Sequence, residues 1–208
     1  MTKKEEWLAG TRSAVPIMLG YVPVGIAYGV MARQAGLSSW QTVLMSLTVY
    51  GGASEMMAAG MVAQGAAVLT IVLTTFILNL RHIIMSTCVF NQMQGGRLPV
   101  RMLAAFGVTD ETFAVYTTTA NAPRTPRYFF SMAFCAYLSW ALGSWLGAIA
   151  TGLLPPLITA ALGISLYAMF IGLLMPGLHG NGRLAALVVL TALCNTVLCL
   201  SLIHISEP

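Results

Sequence analysis

The sequence predicts an all-α integral membrane protein, a bundle of about 5–7 transmembrane helices that includes broken or re-entrant half-helices near the membrane midplane. The 208 residues are 58% hydrophobic and 8% charged, with a mean hydropathy of +0.82. That composition leaves too little polar surface to cover a water-soluble globule of this size. Glycines and polar side chains interrupt several of the apolar runs, and these interruptions predict the half-helices. A single transporter domain is expected over residues 1–200.

Each apolar run is close to the length of about 20 residues that crosses a bilayer. The six long runs cover residues 14–32, 42–63, 66–90, 128–154, 157–174 and 184–203. A less apolar run, 102–119, lies in the longest connecting region and is not expected to cross. The first twelve residues are polar and form a cytoplasmic flank or a surface helix.

Two G-x-x-x-G pairs predict close contacts between helices. Gly25 and Gly29 lie in the first run, and Gly143 and Gly147 lie in the fourth. Glycines four residues apart share one helix face and allow another backbone to approach closely.

The second apolar run is interrupted by the segment 48–56, which contains Tyr50, Gly51, Gly52, Ser54 and Glu55. Hydrocarbon offers no hydrogen-bond partner to loosened backbone or to a carboxylate, so such a break needs protein or water around it. Two adjacent glycines permit unwinding. Half-helices that meet at a break direct amide groups towards an anion and carbonyls towards a cation. We therefore predict a binding site at this break.

A second polar group, Asn79 to His82, lies inside the third run. Arg81 is about 9 residues, or ~13 Å, from the end of that run at 1.5 Å per residue. That depth predicts a carboxylate partner rather than a side chain that reaches the headgroups. The candidate partners are the acids of the apolar interior, Glu55, Asp110 and Glu111.

The segment 107–112 carries a helix-start signal inside the run 102–119. Thr109 or Asp110 is a candidate N-cap, and Asp110 and Glu111 would lie in the first turn, where the helix dipole favours acids. One interpretation is a capped surface helix. The other is a short, partly inserted helix whose acids face Arg81 or a solute.

The distribution of basic residues discriminates between topologies. If all six long runs cross, the better orientation puts six basic residues inside and three outside. If the run 42–63 instead enters and leaves on one side, eight lie inside and Arg33 alone lies outside. The positive-inside rule favours this second arrangement, which has five crossings and a cytoplasmic N-terminus. A crossing by the run 102–119 would change the parity and leave six against three.

Other classes of function have weaker support. The basic residues are clustered between apolar runs, which suits lipid headgroups and not nucleic acid. The four cysteines lie inside apolar runs without C-x-x-C spacing, so neither a disulfide framework, a metal site nor a cofactor is predicted. An intramembrane serine protease would need a histidine beside Ser54, which is followed by no glycine of an elbow motif. A passive channel or a structural membrane subunit is the alternative to a carrier.

The segment 201–208 differs from the rest of the chain and resembles translated sequencing-adaptor DNA. We expect that it is not native and that a final span is missing from this sequence.

Several motifs together resemble the azaleucine-resistance (AzlC-type) family of branched-chain amino acid exporters. They are Pro16 to Gly29, Tyr50-Gly51-Gly52-Ala53-Ser54, Arg81-His82, Phe106 to Ala114 and Ala161-Leu162-Gly163. The resemblance extends from about residue 13 to residue 200. It implies a multi-pass protein of the bacterial plasma (inner) membrane, no enzyme activity, and export of valine, leucine, isoleucine and sometimes methionine. It also implies a small hydrophobic AzlD-type partner subunit. Glu55 stands where this family usually has glutamine.

The implied task needs an anion site, a cation site and an apolar pocket. The expected substrate-binding residues are Tyr50, Gly51, Gly52, Ser54, Glu55, Asn79, Arg81, Thr109 and Asp110. A coupled proton is expected on one of the titratable residues Glu55, His82, Asp110 and Glu111. Tyr50, Met56, Met57 and Phe113 are expected to line the pocket for the side chain.

Overall fold

The computed structural model describes residues 2–153 and 182–206 continuously, with isolated positions between these ranges. Two compact units are present, Met1–Leu166 and Tyr167–Pro208. The regular elements described are all α-helices, and they are α1 (Lys3–Gln34), α2 (Ser39–Thr48), α3 (Gly52–Ala63), α4 (Val68–Asn79), α5 (Arg81–Gln92), α6 (Leu98–Phe106), α7 (Asp110–Thr118), α8 (Pro126–Ala150) and α9 (Gly182–Ser206). The helix α9 contains the predicted run 184–203, whereas the run 157–174 lies outside the continuously described residues.

Three of the described helices are long and apolar enough to cross a membrane: Lys3–Gln34, Val68–Gln92 and Pro126–Ala150. The first is longer than the predicted run 14–32. A capping box between Thr2 and Glu5 satisfies the first backbone amides, so the helix already begins in the polar flank. The second combines α4 and α5, because Leu80 between them keeps helical dihedral angles of φ −56° and ψ −29°.

Helices α1 and α8 form the centre of the first unit and run in the same direction. The two predicted G-x-x-x-G pairs pack against each other. A Cβ atom on Gly143 would lie 2.7 Å from the carbonyl oxygen of Val22, and one on Gly25 would lie 3.0 Å from that of Trp140. Added Cβ atoms on Gly29 and Gly147 would likewise collide with backbone of the opposite helix. The glycines therefore permit backbone contact between the two helices.

We call the side on which α1 begins the near side, and the side on which α1 ends the far side. Helix α2 starts beside the far half of α1, where the hydroxyl of Tyr28 donates to the carbonyl of Thr42 at 3.0 Å. The turn after α2 then reaches Tyr21, one to two helical turns nearer the start of α1, whose ring centroid is 6.4 Å from that of Tyr50. Helix α3 returns towards the far side, since Ala58 borders the same cavity as Met45 of α2. The helices α2 and α3 therefore form a first re-entrant element, as the charge distribution predicts.

A second re-entrant element, α6 and α7, enters from the near side. Its start is held next to the start of α8, where the amide of Gln94 donates to the carbonyl of Arg124 at 2.6 Å. Its tip reaches Tyr21, whose hydroxyl is 2.7 Å from that of Thr109. Helix α7 then returns to the start of α8, with the ring of Tyr116 6.1 Å from that of Tyr128. The run 102–119 thus does not cross.

The lengths of the half-helices agree with this arrangement. Helices α2, α3, α6 and α7 have 10, 12, 9 and 9 residues. At 1.5 Å per residue each is about 14–18 Å long, roughly half of the hydrocarbon core of a bilayer. Both tips therefore lie near the middle of the bundle.

The basic residues of the first unit lie mainly on the near side. The ion pair between Arg127 and Glu6, 3.7 Å long, joins the starts of α8 and α1 there. Arg33 is at the far end of α1. The other basic residues of this unit outside the helix α5 belong to the near side, and they are Lys3, Lys4, Arg12, Arg97, Arg101, Arg124 and Arg127. The positive-inside rule then predicts that the near side faces the cytoplasm.

Candidate transport site

The tip of the first re-entrant element consists of Val49, Tyr50 and Gly51, between α2 and α3. Tyr50 has a positive φ of 47°, a left-handed conformation that costs a non-glycine residue of order 1–3 kcal/mol. Gly52 begins α3 against the indole of Trp140, and a Cβ atom here would lie 2.9 Å from that ring. The two neighbouring glycines of the sequence thus have different roles, since Gly51 is an extended N-cap and Gly52 allows a close contact.

Glu55, in the first turn of α3, is completely buried. One of its oxygens accepts the backbone amide of Gly51 at 2.9 Å, and the indole nitrogen of Trp140 lies 3.3 Å from both oxygens. The buried hydroxyl of Ser54 donates to the carbonyl of Gly51 at 2.8 Å. Ser54 is therefore part of the turn, and none of the hydrogen bonds described for it involves a histidine.

The tip of the second re-entrant element carries the other buried acid. Thr109 is the N-cap of α7, as predicted, and forms a capping box with Thr112. Glu111 is 5% exposed and accepts the hydroxyl of Tyr21 at 2.5 Å. The tip is thereby joined to the central helix α1.

Arg81 forms an ion pair with Asp110, with 2.9 Å between the charged atoms. Of the three acids predicted as partners, the structure thus selects Asp110, one of the two at the second tip. The side chains of Arg81 and Asp110 are 39% and 27% exposed, so the described residues do not fully cover this ion pair. His82 follows Arg81 in the chain and is half-buried.

Aromatic rings connect the two tips. The ring of Tyr50 lies 4.9 Å from that of Tyr137 and 5.9 Å from that of Phe106, and Tyr21 lies 5.3 Å from Trp140. Sequence reasoning did not identify Tyr21, Tyr137 or Trp140 as site residues. The sequence did indicate two of them. Tyr21 lies four residues before Gly25 and Trp140 lies three residues before Gly143, so each shares a helix face with a glycine of the packed pairs.

Several buried polar atoms near the tips have no hydrogen bond of standard geometry among the described residues. They include the hydroxyl of Tyr50, the Oδ1 atom of Asn79 and the Nε atom of Arg81. Asn79 is adjacent to the first tip, since a Cβ atom on Gly51 would lie 3.5 Å from that Oδ1 atom. Unpaired buried polar groups are costly and mark places where a ligand or water can bind.

Two cavities border this region. One, of about 290 Å³, lies between α6 and α8 and is lined by Tyr50, Phe106, Tyr137 and neighbouring apolar residues. The other, of about 370 Å³, lies between the first re-entrant element and α4 and includes Glu55. Of the four residues predicted for the side-chain pocket, only Tyr50 lines either of these two cavities.

Within the described part of the chain, no group of three or more potential metal ligands is present. Cys88, Cys135 and Cys194 are free thiols.

Two re-entrant elements that enter from opposite sides and meet among buried carboxyls define a multi-pass membrane protein of the kind that carries small charged solutes. A family model described as AzlC protein matches residues 16–154. The chain belongs to this family. No solved structure matches the chain.

Curated relatives agree with this assignment. An uncharacterized membrane protein of Archaeoglobus fulgidus is 32% identical over 89% of this chain and 82% of its own length. The inner membrane protein YgaZ of Escherichia coli K12 is 30% identical over 96% of this chain and 83% of its own length. The branched-chain amino acid transport protein AzlC of Bacillus subtilis 168 is 27% identical over 72% of this chain and 61% of its own length. The predicted inner-membrane location agrees with the name of the E. coli relative.

Proposed function

We propose that this protein exports branched-chain amino acids, namely valine, leucine and isoleucine, with methionine as a further substrate. The observation that carries the proposal is the meeting of two half-helix N-termini, those of α3 and α7, at the middle of the bundle, each with a buried carboxyl in its first turn. The B. subtilis relative named as a branched-chain amino acid transport protein supports the choice of substrate.

A zwitterion needs one partner for each of its charges. The substrate carboxylate would bind to the free amides at the start of α3, near Gly52, and to Arg81. Asp110 already pairs with Arg81, whereas Glu55 has no ion pair among the described residues. We therefore assign the ammonium to Glu55.

The remaining predicted residues would complete the site. The hydroxyl of Tyr50 and the Oδ1 atom of Asn79 provide two buried polar atoms for the substrate. Gly51 and Ser54 hold the turn that presents these groups, and Thr109 orients the second tip through its bond to Tyr21.

Accumulation outside the cell requires a coupled ion, because export of a zwitterion moves no net charge. A proton is the simplest such ion, and intramembrane carboxyls commonly carry protons in transporters. Glu55 and Glu111 are the buried candidates, while Asp110 and His82 lie next to Arg81 and are more exposed.

A small hydrophobic AzlD-type subunit is the proposed partner. The helix Val68–Gln92 supports this, because no residue in its most apolar stretch is buried within the described structure. Lipid or a partner subunit must cover this surface.

Two experiments test the proposal. Vesicles loaded with valine should release it faster when the outside is acidic, and equal rates with and without the pH gradient would contradict proton coupling. Efflux that saturates and shows counterflow indicates a carrier, whereas a linear, non-saturating flux would indicate the alternative, a passive channel.

The partner is tested in cells challenged with toxic leucine or valine analogues. We expect resistance when the chain is expressed together with the small hydrophobic protein. Full resistance with the chain alone would contradict the need for a partner.

A further inference from the structure

We propose that the aliphatic side chain of the substrate binds in the cavity between the first re-entrant element and α4, with the substrate ammonium at Glu55. This inference rests on the proposed transport of amino acids and assigns the residues that select among them. The cavity, of about 370 Å³, is lined by Met45, Val49, Ala58, Ile71, Val72, Phe76, Thr75 and Glu55.

The chemistry of the lining matches the two halves of such a substrate. Six of the lining residues are apolar, and Glu55 is the single acid among them. Binding an aliphatic chain against apolar walls gains about 0.8 kcal/mol for each methylene removed from water. The carboxyl in the same cavity supplies a partner for the ammonium.

Glu55 retains the capacity to accept further hydrogen bonds. An ionised carboxylate offers about four lone-pair sites. The amide of Gly51, the indole of Trp140 and the hydroxyl of Ser46 are the donors described for it. A lone-pair site therefore remains for an ammonium group.

Asn79 provides a second acceptor close to the same place. It lies on α4, three and four residues beyond the lining residues Phe76 and Thr75. Its Oδ1 atom is buried, has no hydrogen bond among the described residues and lies beside Gly51. The ammonium would thus have two oxygen partners at one end of the apolar cavity.

The cavity between α6 and α8 is the competing location, and it lacks this chemistry. The residues that line it include no charged side chain. The hydroxyl of one of its two tyrosines, Tyr137, already donates to the carbonyl of Leu47 at 2.8 Å. An ammonium placed there would have no carboxylate partner, which is unfavourable away from water.

Matched substitutions in the two cavities test the assignment. Val72→Phe narrows the proposed cavity and Phe76→Ala widens it. The controls are Leu103→Phe and Phe134→Ala in the competing cavity. All four side chains are between 52% and 65% exposed within the described structure, so the four variants should fold comparably.

The measurement is transport by the full chain, reconstituted with its small partner subunit, of alanine, leucine and phenylalanine. Val72→Phe should lower the leucine-to-alanine ratio of kcat/KM by about tenfold, and Phe76→Ala should raise the phenylalanine-to-leucine ratio by about tenfold. The two controls should leave both ratios within about twofold of the unsubstituted protein.

Two negative outcomes are distinguishable. If the unsubstituted protein transports leucine but Val72→Phe and Phe76→Ala leave the ratios unchanged, or the controls change them equally, the cavity assignment is wrong and the proposed function stands. If the unsubstituted protein transports no neutral amino acid, the proposed function is wrong and the cavity assignment fails with it.

Discussion

The two re-entrant elements differ in how their acids are held. In the first, Glu55 accepts hydrogen bonds from the amide of its own turn, one indole and the hydroxyl of Ser46, and it has no cation partner among the described residues. In the second, Asp110 is paired with Arg81 of α5, and Glu111 accepts the hydroxyl of Tyr21 of α1. The first tip is therefore free to exchange partners with a solute, whereas the second is fixed to two crossing helices.

The largest expected effect comes from closing the first tip. Gly52→Val would force a side chain into the indole of Trp140, which lies 2.9 Å from the position of the new Cβ atom. A displacement of about 1 Å at such a site can cost about a hundredfold in rate, and we expect a loss of leucine transport of that size. The measurement is efflux from vesicles at equal protein content.

The matched control for this change is Gly60→Val in the same helix. A Cβ atom on Gly60 meets nothing within 4 Å among the described residues. We expect transport within about threefold of the unsubstituted protein, because valine has a higher helix propensity than glycine and its side chain enters open space. Equal losses in both variants would show that any larger residue in α3, and not contact with Trp140 in particular, lowers transport.

The next effect comes from releasing the second tip. Arg81→Gln leaves Asp110 without its partner and removes a cation from the proposed carboxylate site, so transport should fall about tenfold. Because the pair is partly exposed, the loss in the free energy of unfolding should be only about 1 kcal/mol. Thermal unfolding in detergent measures the second quantity.

The double variant Arg81→Gln with Asp110→Asn separates the two roles. It should recover the stability, because no unpaired charge remains. Its transport should stay low, and recovered transport would show that Arg81 only balances Asp110.

A smaller effect is expected at Glu55. Glu55→Gln keeps an oxygen that can accept the substrate ammonium, so transport should stay within about threefold. The amide cannot carry a proton, so acceleration by an acidic outside should disappear. Transport rates with and without a pH gradient test this, with Glu111→Gln as the comparison. Complete loss of transport by correctly folded Glu55→Gln would show that the carboxyl itself is required.

The smallest effects concern the tyrosines that hold each tip. Tyr137→Phe removes one bond to the carbonyl of Leu47 in the first element, which should lower the free energy of unfolding by about 1 kcal/mol. Tyr21→Phe removes one of the donors to the buried carboxyl of Glu111 and should cost about 2 kcal/mol. Unfolding by heat in detergent compares them, and a larger loss at Tyr137 would contradict the idea that the second tip is the fixed one.

The local features of both tips could be predicted from the sequence. Adjacent glycines beside an acid predict the break before α3, and Thr109 predicts the start of α7, because unwinding and capping depend on neighbouring residues. The distribution of basic residues predicts the re-entrant path of α2 and α3, since the positive-inside rule depends only on where those residues lie between the apolar runs. The binding roles of the tip residues remain predictions.

Contacts between distant parts of the chain could not be predicted in the same way. Trp140 and Glu55 are 85 residues apart, and neither carries a local pattern that identifies the other. The same holds for the cavity wall at Val72 and Phe76, since apolar residues that line a cavity and those that face lipid have the same composition. The side-chain pocket predicted at Met56, Met57 and Phe113 used proximity in sequence to the tips, whereas the described cavities are formed by neighbouring helices.

The glycine contact between α1 and α8 has a consequence for movement. With carbonyl oxygens of one helix directly against glycines of the other, neither helix can slide or rotate without a steric clash. These two helices should act as a stationary support during a transport cycle. The short half-helices beside α1 and α8 are then the elements that move. Their ends contact these two helices through a few hydrogen bonds and ring contacts, which can be broken one at a time.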